Sequence, residues 1–153
     1  VLNLEGAHNL EHSPHTAHPV ISLMDDQNGV EKGGTMRLGA YDCALKPGTL
    51  AHQLYAADTV DERHRHRYEF NNAYREQFEA SRMSLSGTNP ERDLVEIVEI
   101  PDHPFFIGVQ FHPEFKSRPL KPQVIFRGFV AASLARTKGQ KKTSNTQKSS
   151  AKA

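Results

Sequence analysis

At 153 residues the chain is long enough for one domain with its own core, and 37% hydrophobic with 24% charged residues is an ordinary globular composition. No apolar run approaches the roughly 18 residues of a membrane span, and the N-terminus lacks the basic-then-apolar order of a signal peptide. A single cysteine excludes an internal disulfide and suits a cytoplasmic location, where thiols stay reduced.

Residues 1–18 are irregular, rich in His and broken by Pro14. Residues 19–24 (PVISLM) form a short, mostly buried strand. A polar loop over 25–34 ends in a Gly pair, and TMRLGAYDCAL (35–45) alternates as a strand does before the Pro47-Gly48 turn. Residues 63–70 are polar with strand-compatible alternation. Residues 72–82 favour helix, with Tyr74, Phe78 and Met83 near one face. LVEIVEI (94–100) and FFIGVQF (105–111) are strands, the second apolar on both faces as in a central strand of a covered sheet. A helix over 123–135 follows Pro122, with Val124, Phe126, Phe129, Val130 and Leu134 expected to pack inward. This order of elements is that of a mixed α/β domain over residues 1–137.

The net charge of +1 hides an asymmetry. Residues 138–153 hold five lysines and no acid, so the rest of the chain is mildly acidic. The tail lacks Arg and aromatics and is padded with Ser, Thr, Gln and Ala, as in a disordered, solubilising end. Neither nucleic acid nor a membrane is expected as a partner. The chain starts at Val1 rather than Met, which suggests a longer gene product.

The most informative stretch is GVQFHPEF (108–115), where an apolar strand runs directly into His112, Pro113 and Glu114. Loops just past strand ends are held by a rigid scaffold, so catalytic groups often sit there. His112 can take and return a proton near neutral pH. Glu114, two residues on, can hydrogen-bond the imidazole, fix its tautomer and stabilise the imidazolium. In RHRHRY (63–68) the arginines alternate with His64, His66 and Tyr68, giving a strand one guanidinium face and one aromatic-edged face.

FHPEF after an apolar strand resembles the His-Glu signature of class I glutamine amidotransferases, whose nucleophilic Cys attacks the glutamine amide. The resemblance makes His112 the general base and acid and Glu114 its orienting carboxylate. GGTMRLG (33–39) and ERHRHRYEFNN (62–72) resemble the CTP synthase family more narrowly. The implied fold is the C-terminal portion of a flavodoxin-like class I amidotransferase α/β domain, incomplete at its N-terminus, with a mixed sheet flanked by helices. The implied reaction is amination of UTP to CTP with ATP and ammonia from glutamine. Arg67 would hold the glutamine carboxylate as a guanidinium–carboxylate pair, and Glu11 the amino group. The family motif around that Glu is Asn-Ser-x-Glu-Phe, which this chain replaces with His8-Asn9-Leu10-Glu11-His12. The Gly pair of GGTMRLG is expected in a hairpin near a domain interface, with Arg37 transmitting nucleotide binding. L-glutamine, a ligase domain and a nucleophile-bearing segment are the implied partners, and a homotetramer is implied for the parent enzyme. ATP and Mg²⁺ belong to that ligase domain; no cofactor is expected on this chain.

Two features invite other readings. His8, His12, His15 and His18 have the spacing of a metal-binding helix face, but Pro14 lies inside the row, so a solvated loop without metal is expected. Cys43 is the only thiol, yet YDCALKPG lacks the small residues of a nucleophile elbow. A buried, inert thiol fits better, so this chain alone is expected not to hydrolyse glutamine. The rivals are another class I amidotransferase, a γ-glutamyl hydrolase, and a non-catalytic amidotransferase-like binding or regulatory module.

Overall fold

The computed structural model describes residues 1–23 and 36–150, with the backbone alone from residue 139. The loop expected over 25–34 and the Gly pair of GGTMRLG lie outside the described residues. Two sheets carry the fold. A five-stranded sheet has the order β4-β3-β6-β7-β8, built from β3 (Arg37–Leu45), β4 (Thr59–His66), β6 (Ser84–Asn89), β7 (Leu94–Glu99) and β8 (Ile107–Val109). A three-stranded sheet has the order β1-β2-β5, from β1 (Ala7–Asn9), β2 (His18–Leu23) and β5 (Tyr68–Phe70). Strands β3 and β4 pair antiparallel from Arg37↔His66 to Ala44↔Thr59. The chain leaves β4 at His66 and enters the second sheet at Tyr68, where β5 pairs with β2. Arg67 is the single residue between the sheets.

The β3–β4 connection contains α1 (Leu50–Tyr55), a helix of six residues. It is too short to stand on propensity. Its N-terminus is secured by Glu99 of β7, whose carboxylate accepts the N–H groups of Leu50 at 2.8 Å and Ala51 at 2.7 Å. Thr49 adds an N-cap to His52, and Ala56 ends the helix in the left-handed region at φ 53°. Before it, Gly48 adopts φ +81°, the conformation that made Pro47-Gly48 a turn signal. The segment expected as one helix over 72–82 divides into a 3₁₀ turn, Asn72–Tyr74, and α2 (Arg75–Glu79).

One core cluster joins Cys43, Leu45, Ala51, Ile97, Phe111 and Ile125, with Tyr55, Phe105 and Val109 packed on it. Full burial of a residue such as Ile97 contributes about 1.5–3 kcal/mol. A second cluster joins Phe70, Leu85 and Val95 to Ile21 and Phe78, so the two sheets share a core. A buried polar knot ties helix to sheet: Tyr55 donates to Glu62 at 2.6 Å and Gln123 donates to the same carboxylate at 2.8 Å. Gln123 in turn accepts from the N–H of Ile125, capping the last helix.

Two expectations about packing are corrected. Strand β8 is shorter than expected and lies at the sheet edge, bonded to β7 alone among the described residues. An apolar run on both faces cannot by itself separate a central strand from an edge strand. The last helix, α3 (Val124–Ser150), does not bury the expected stripe: Phe126, Phe129, Val130 and Leu134 are exposed, Phe129 by 57%. It docks through the expected Val124, which packs on the core cluster, and through Ile125 and Gly128, where an added Cβ would lie 2.6 Å from Leu54 Cδ2. The helical backbone runs past the expected end at 135 to Ser150, through a segment rich in Lys, Ser and Thr with no proline. No described helix is long and apolar enough to cross a membrane.

Candidate active site

After β8 the chain crosses the end of the curled sheet. The N–H of Gln110 donates to the Glu96 carbonyl on β7, Phe111 enters the core, and the N–H of His112 donates to the Arg63 carbonyl on β4 at 2.8 Å. His112 then caps a 3₁₀ turn, Pro113–Lys116, with proline at its start, where a missing N–H costs nothing. Lys116 pairs with Asp61 at 2.8 Å and fastens the turn to β4.

Within this turn His112 Nδ1 and Glu114 Oε1 are 2.7 Å apart. A carboxylate only accepts, so Nδ1 carries the hydrogen and Nε2 is left as the basic nitrogen. The bond to His112 holds the Glu114 carboxyl below its ordinary range. Phe115 stacks on the imidazole, ring centroids 4.9 Å apart at 12°, which limits ring rotation. Both side chains remain open to solvent, His112 by 36% and Glu114 by 55%.

Glu11 and Arg67 come together in an open cleft of ≈ 670 Å³, whose wall also includes Arg65, His66, Tyr68 and Gln110. One carboxylate and two guanidinium groups lining the same cleft suit a zwitterion. Asn9 fixes the approach of Glu11 by accepting its N–H at 2.7 Å. His112 and Glu114 are not part of that wall; they follow it by two and four residues through Gln110.

Behind the cleft lies a charged cluster whose members were not read as a unit from the sequence. The Arg37 guanidinium is buried on β3, 2.5 Å from Glu96 and 3.7 Å from Glu69, with its Cζ 4.3 Å from the centre of the Tyr41 ring. Arg37 thus neutralises buried carboxylates from within β3, while the hairpin expected at the Gly pair lies outside the described residues. His64 and His66 join through a 3.0 Å ring contact. Burial, reinforced by Arg37, pushes these imidazoles down to about 3 and about 4, so both are neutral at pH 7. Burial pushes Glu69 up to about 7 and raises Glu96. Acids inside the apolar run LVEIVEI and the inward histidines alternating with arginines in RHRHRY were the available signals. Pairing them needs the tertiary fold.

Cys43 is fully buried in the core, where burial and Glu96 push its thiol up to about 12. Such a thiol is no nucleophile. Rings of His8 and His12 lie 6.4 Å apart in the N-terminal loop. Among the described residues no group of three or more His, Cys, Asp or Glu could hold a metal ion.

This mixed α/β frame, with a His-Glu pair just past a strand end, defines a class I glutamine amidotransferase domain. The chain belongs to that family: the family model described as glutamine amidotransferase class-I matches residues 13–132. Among its relatives, the chain is 63% identical over 134 residues to the CTP synthase of Rubrobacter xylanophilus, covering 88% of this chain and 24% of that protein. It is 61% identical over 135 residues to the CTP synthase of Halalkalibacterium halodurans, covering 88% and 25%. The solved glutaminase domain of Trypanosoma brucei CTPS with bound acivicin superposes with a TM-score of 0.81 at 35% identity, over 88% of this chain and 53% of that one. The chain spans about a quarter of the length of the curated relatives it matches.

Proposed function

We propose that this chain supplies the His-Glu half and the substrate-holding wall of a glutaminase site, in an enzyme that aminates UTP to CTP with ATP and ammonia from glutamine. The observation that carries it is the 2.7 Å His112–Glu114 pair, one short segment beyond the Glu11/Arg67 cleft. Arg67 takes the α-carboxylate of glutamine and Glu11 its ammonium group. A cysteine thiolate from outside residues 1–153 attacks the side-chain amide carbonyl, forming a thioester and expelling ammonia. His112 Nε2 accepts the thiol proton and delivers it to the departing nitrogen. Water then cleaves the thioester, releasing glutamate and the thiol, with His112 again moving the proton. Glu114 holds the imidazolium that forms between transfers.

On this reading ATP, UTP and Mg²⁺ belong to a ligase portion outside residues 1–153, which span about a quarter of the CTP synthase relatives. The open edge of β8 and the exposed Phe126, Phe129, Val130 and Leu134 are the surfaces against which the rest of the domain would pack.

The test is glutamate release from glutamine by the parent polypeptide. His112→Ala is expected to lower kcat by about a thousandfold or more, and Cys43→Ala to leave it unchanged. Residues 1–153 alone are expected to release no glutamate; release by that piece overturns the proposal. The buried state of Cys43 also suits a binding module without chemistry, a reading favoured if the parent polypeptide binds glutamine but never releases glutamate.

A further inference from the structure

Gln110 on the cleft wall and the buried Glu69 behind it join the two segments that carry the proposed site. Glu69 follows Arg67 by two residues on β5, and Gln110 precedes His112 by two residues after β8. Glu69 is 2% exposed. The side-chain amide of Gln110 donates to Glu69 Oε2 at 3.1 Å and to the Val95 carbonyl at 3.3 Å. A backbone carbonyl only accepts, so the Val95 carbonyl decides which end of the amide turns inward, and Glu69 Oε2 accepts from the same NH₂ group. The other Glu69 oxygen faces His66 Nδ1 at 3.4 Å, and Arg37 Nη1 lies 3.7 Å from Oε2. Glu69 is thereby held from β3 and β4 while it holds Gln110.

The consequence is a fixed reach. Glutamine, gripped at its α-carboxylate by Arg67, presents an amide four carbon–carbon bonds away. That amide must arrive where His112 can protonate the leaving nitrogen. Arg67 joins β4 to β5 whereas His112 lies past the end of β8, so their separation depends on what ties those segments together. The main-chain bond from His112 to Arg63 is one tie. We propose that Glu69 and Gln110 are the other, a positioning couple that sets the distance between the Arg67 guanidinium and the His112 imidazole. The proposal rests on the glutaminase reading above and adds residues that touch neither the nucleophile nor the leaving group.

The experiment measures kcat and KM for glutamate release by the parent polypeptide, with melting temperature followed alongside. Loss of a tie should leave glutamine gripped but misplaced. Gln110→Ala is expected to lower kcat by about tenfold to a hundredfold while KM changes less than about threefold, since small misplacements act on the reacting geometry. Gln110→Glu sets two carboxylates against each other and should lose at least as much. The reversed pair, Glu69→Gln with Gln110→Glu, regains an amide–carboxylate bond. It should recover about tenfold of kcat over Gln110→Glu alone, and it serves as the test if a single variant fails to fold. A kcat for Gln110→Ala within about twofold of the unsubstituted enzyme, or a reversed pair no better than Gln110→Glu, overturns the couple. If His112→Ala still abolishes turnover in that case, the glutaminase reading survives. If His112→Ala leaves turnover intact, the reading itself fails.

Discussion

The substitution Arg37→Met removes the cation held between Glu69 and Glu96. The Arg37 and Glu96 side chains are fully buried and in ion-pair contact at 2.5 Å, and Glu69 faces them at 3.7 Å with 2% of its side chain exposed. The neighbouring imidazoles add no positive charge beside Arg37 at neutral pH. His64 Nδ1 lies 3.8 Å from Glu96 and His66 Nδ1 3.4 Å from Glu69, but both rings are neutral there. The uncharged thioether would thus leave two carboxylates buried together. Breaking a buried pair from one side costs about 3–5 kcal/mol. For a domain of this size that lowers the melting temperature by roughly 6–20 °C. The sign with pH follows from the protonated forms. Both carboxyl groups would have folded pKa values raised further above the unfolded value of about 4.3. Their destabilisation is then full above the raised values and fades as pH falls toward the unfolded one. Protonation of His64 and His66, freed from the Arg37 charge, adds relief in the same direction. Urea unfolding followed by circular dichroism should therefore show a larger deficit at about pH 8 than at about pH 5. A deficit under about 1 kcal/mol at the higher pH, or an equal deficit at both, would refute the reasoning.

Two further outcomes follow from the geometry. On the proposed glutaminase reading, Arg67→Ala removes a charged contact to bound glutamine before and during reaction, a loss of about 1.5–3 kcal/mol. KM for glutamine should rise roughly tenfold to a hundredfold, and a fall in kcat with KM intact would assign Arg67 a different role. Gly87→Ala puts a Cβ 2.6 Å from Ile97 Cγ1 and 2.7 Å from Cys43 Sγ, both residues fully buried. Overpacking of about 1–3 kcal/mol is expected, visible as a lower denaturant midpoint; an unchanged midpoint would show that the core yields there.

What the sequence made legible was local. His112 and Glu114 touch across two residues, so a motif and a strand end sufficed to place them. Strand β4 shows its arginine alternation because Arg63 and Arg65 do face outward while Glu62 and His64 are buried. What stayed hidden depends on partners distant in sequence. The helix α1 relies on Glu99, about fifty residues away, for its first N–H groups. Strand β6, SLSGTN, has a loop's composition, yet Ser86 and Asn89 are buried because small residues fit between β3 and β7. The apolar stripe of α3 was visible, but not which residues would be covered. Val124, Ile125 and Gly128 make the contact, and of these periodicity pointed only to Val124.

The buried ion cluster also bears on how such a cleft keeps its shape. An apolar filling of similar volume would hold the two sheets together at less electrostatic cost. Apolar contacts, however, lack direction, and the proposed glutaminase site would need Arg67 and His112 in fixed relation. Arg37 pairs with carboxylates from β5 and β7, and Glu69 passes that constraint to Gln110 on the segment leading to His112. Each contact has a narrow distance range and a defined orientation. The strands on either side of Arg67 are thus registered to the loop after β8 by hydrogen bonds and ion pairs rather than by packing alone. A charged group so close to a cleft for a zwitterion must not compete for it. Burial solves this, because Arg37, Glu69 and Glu96 are closed off while Glu11, Arg65 and Arg67 face the opening.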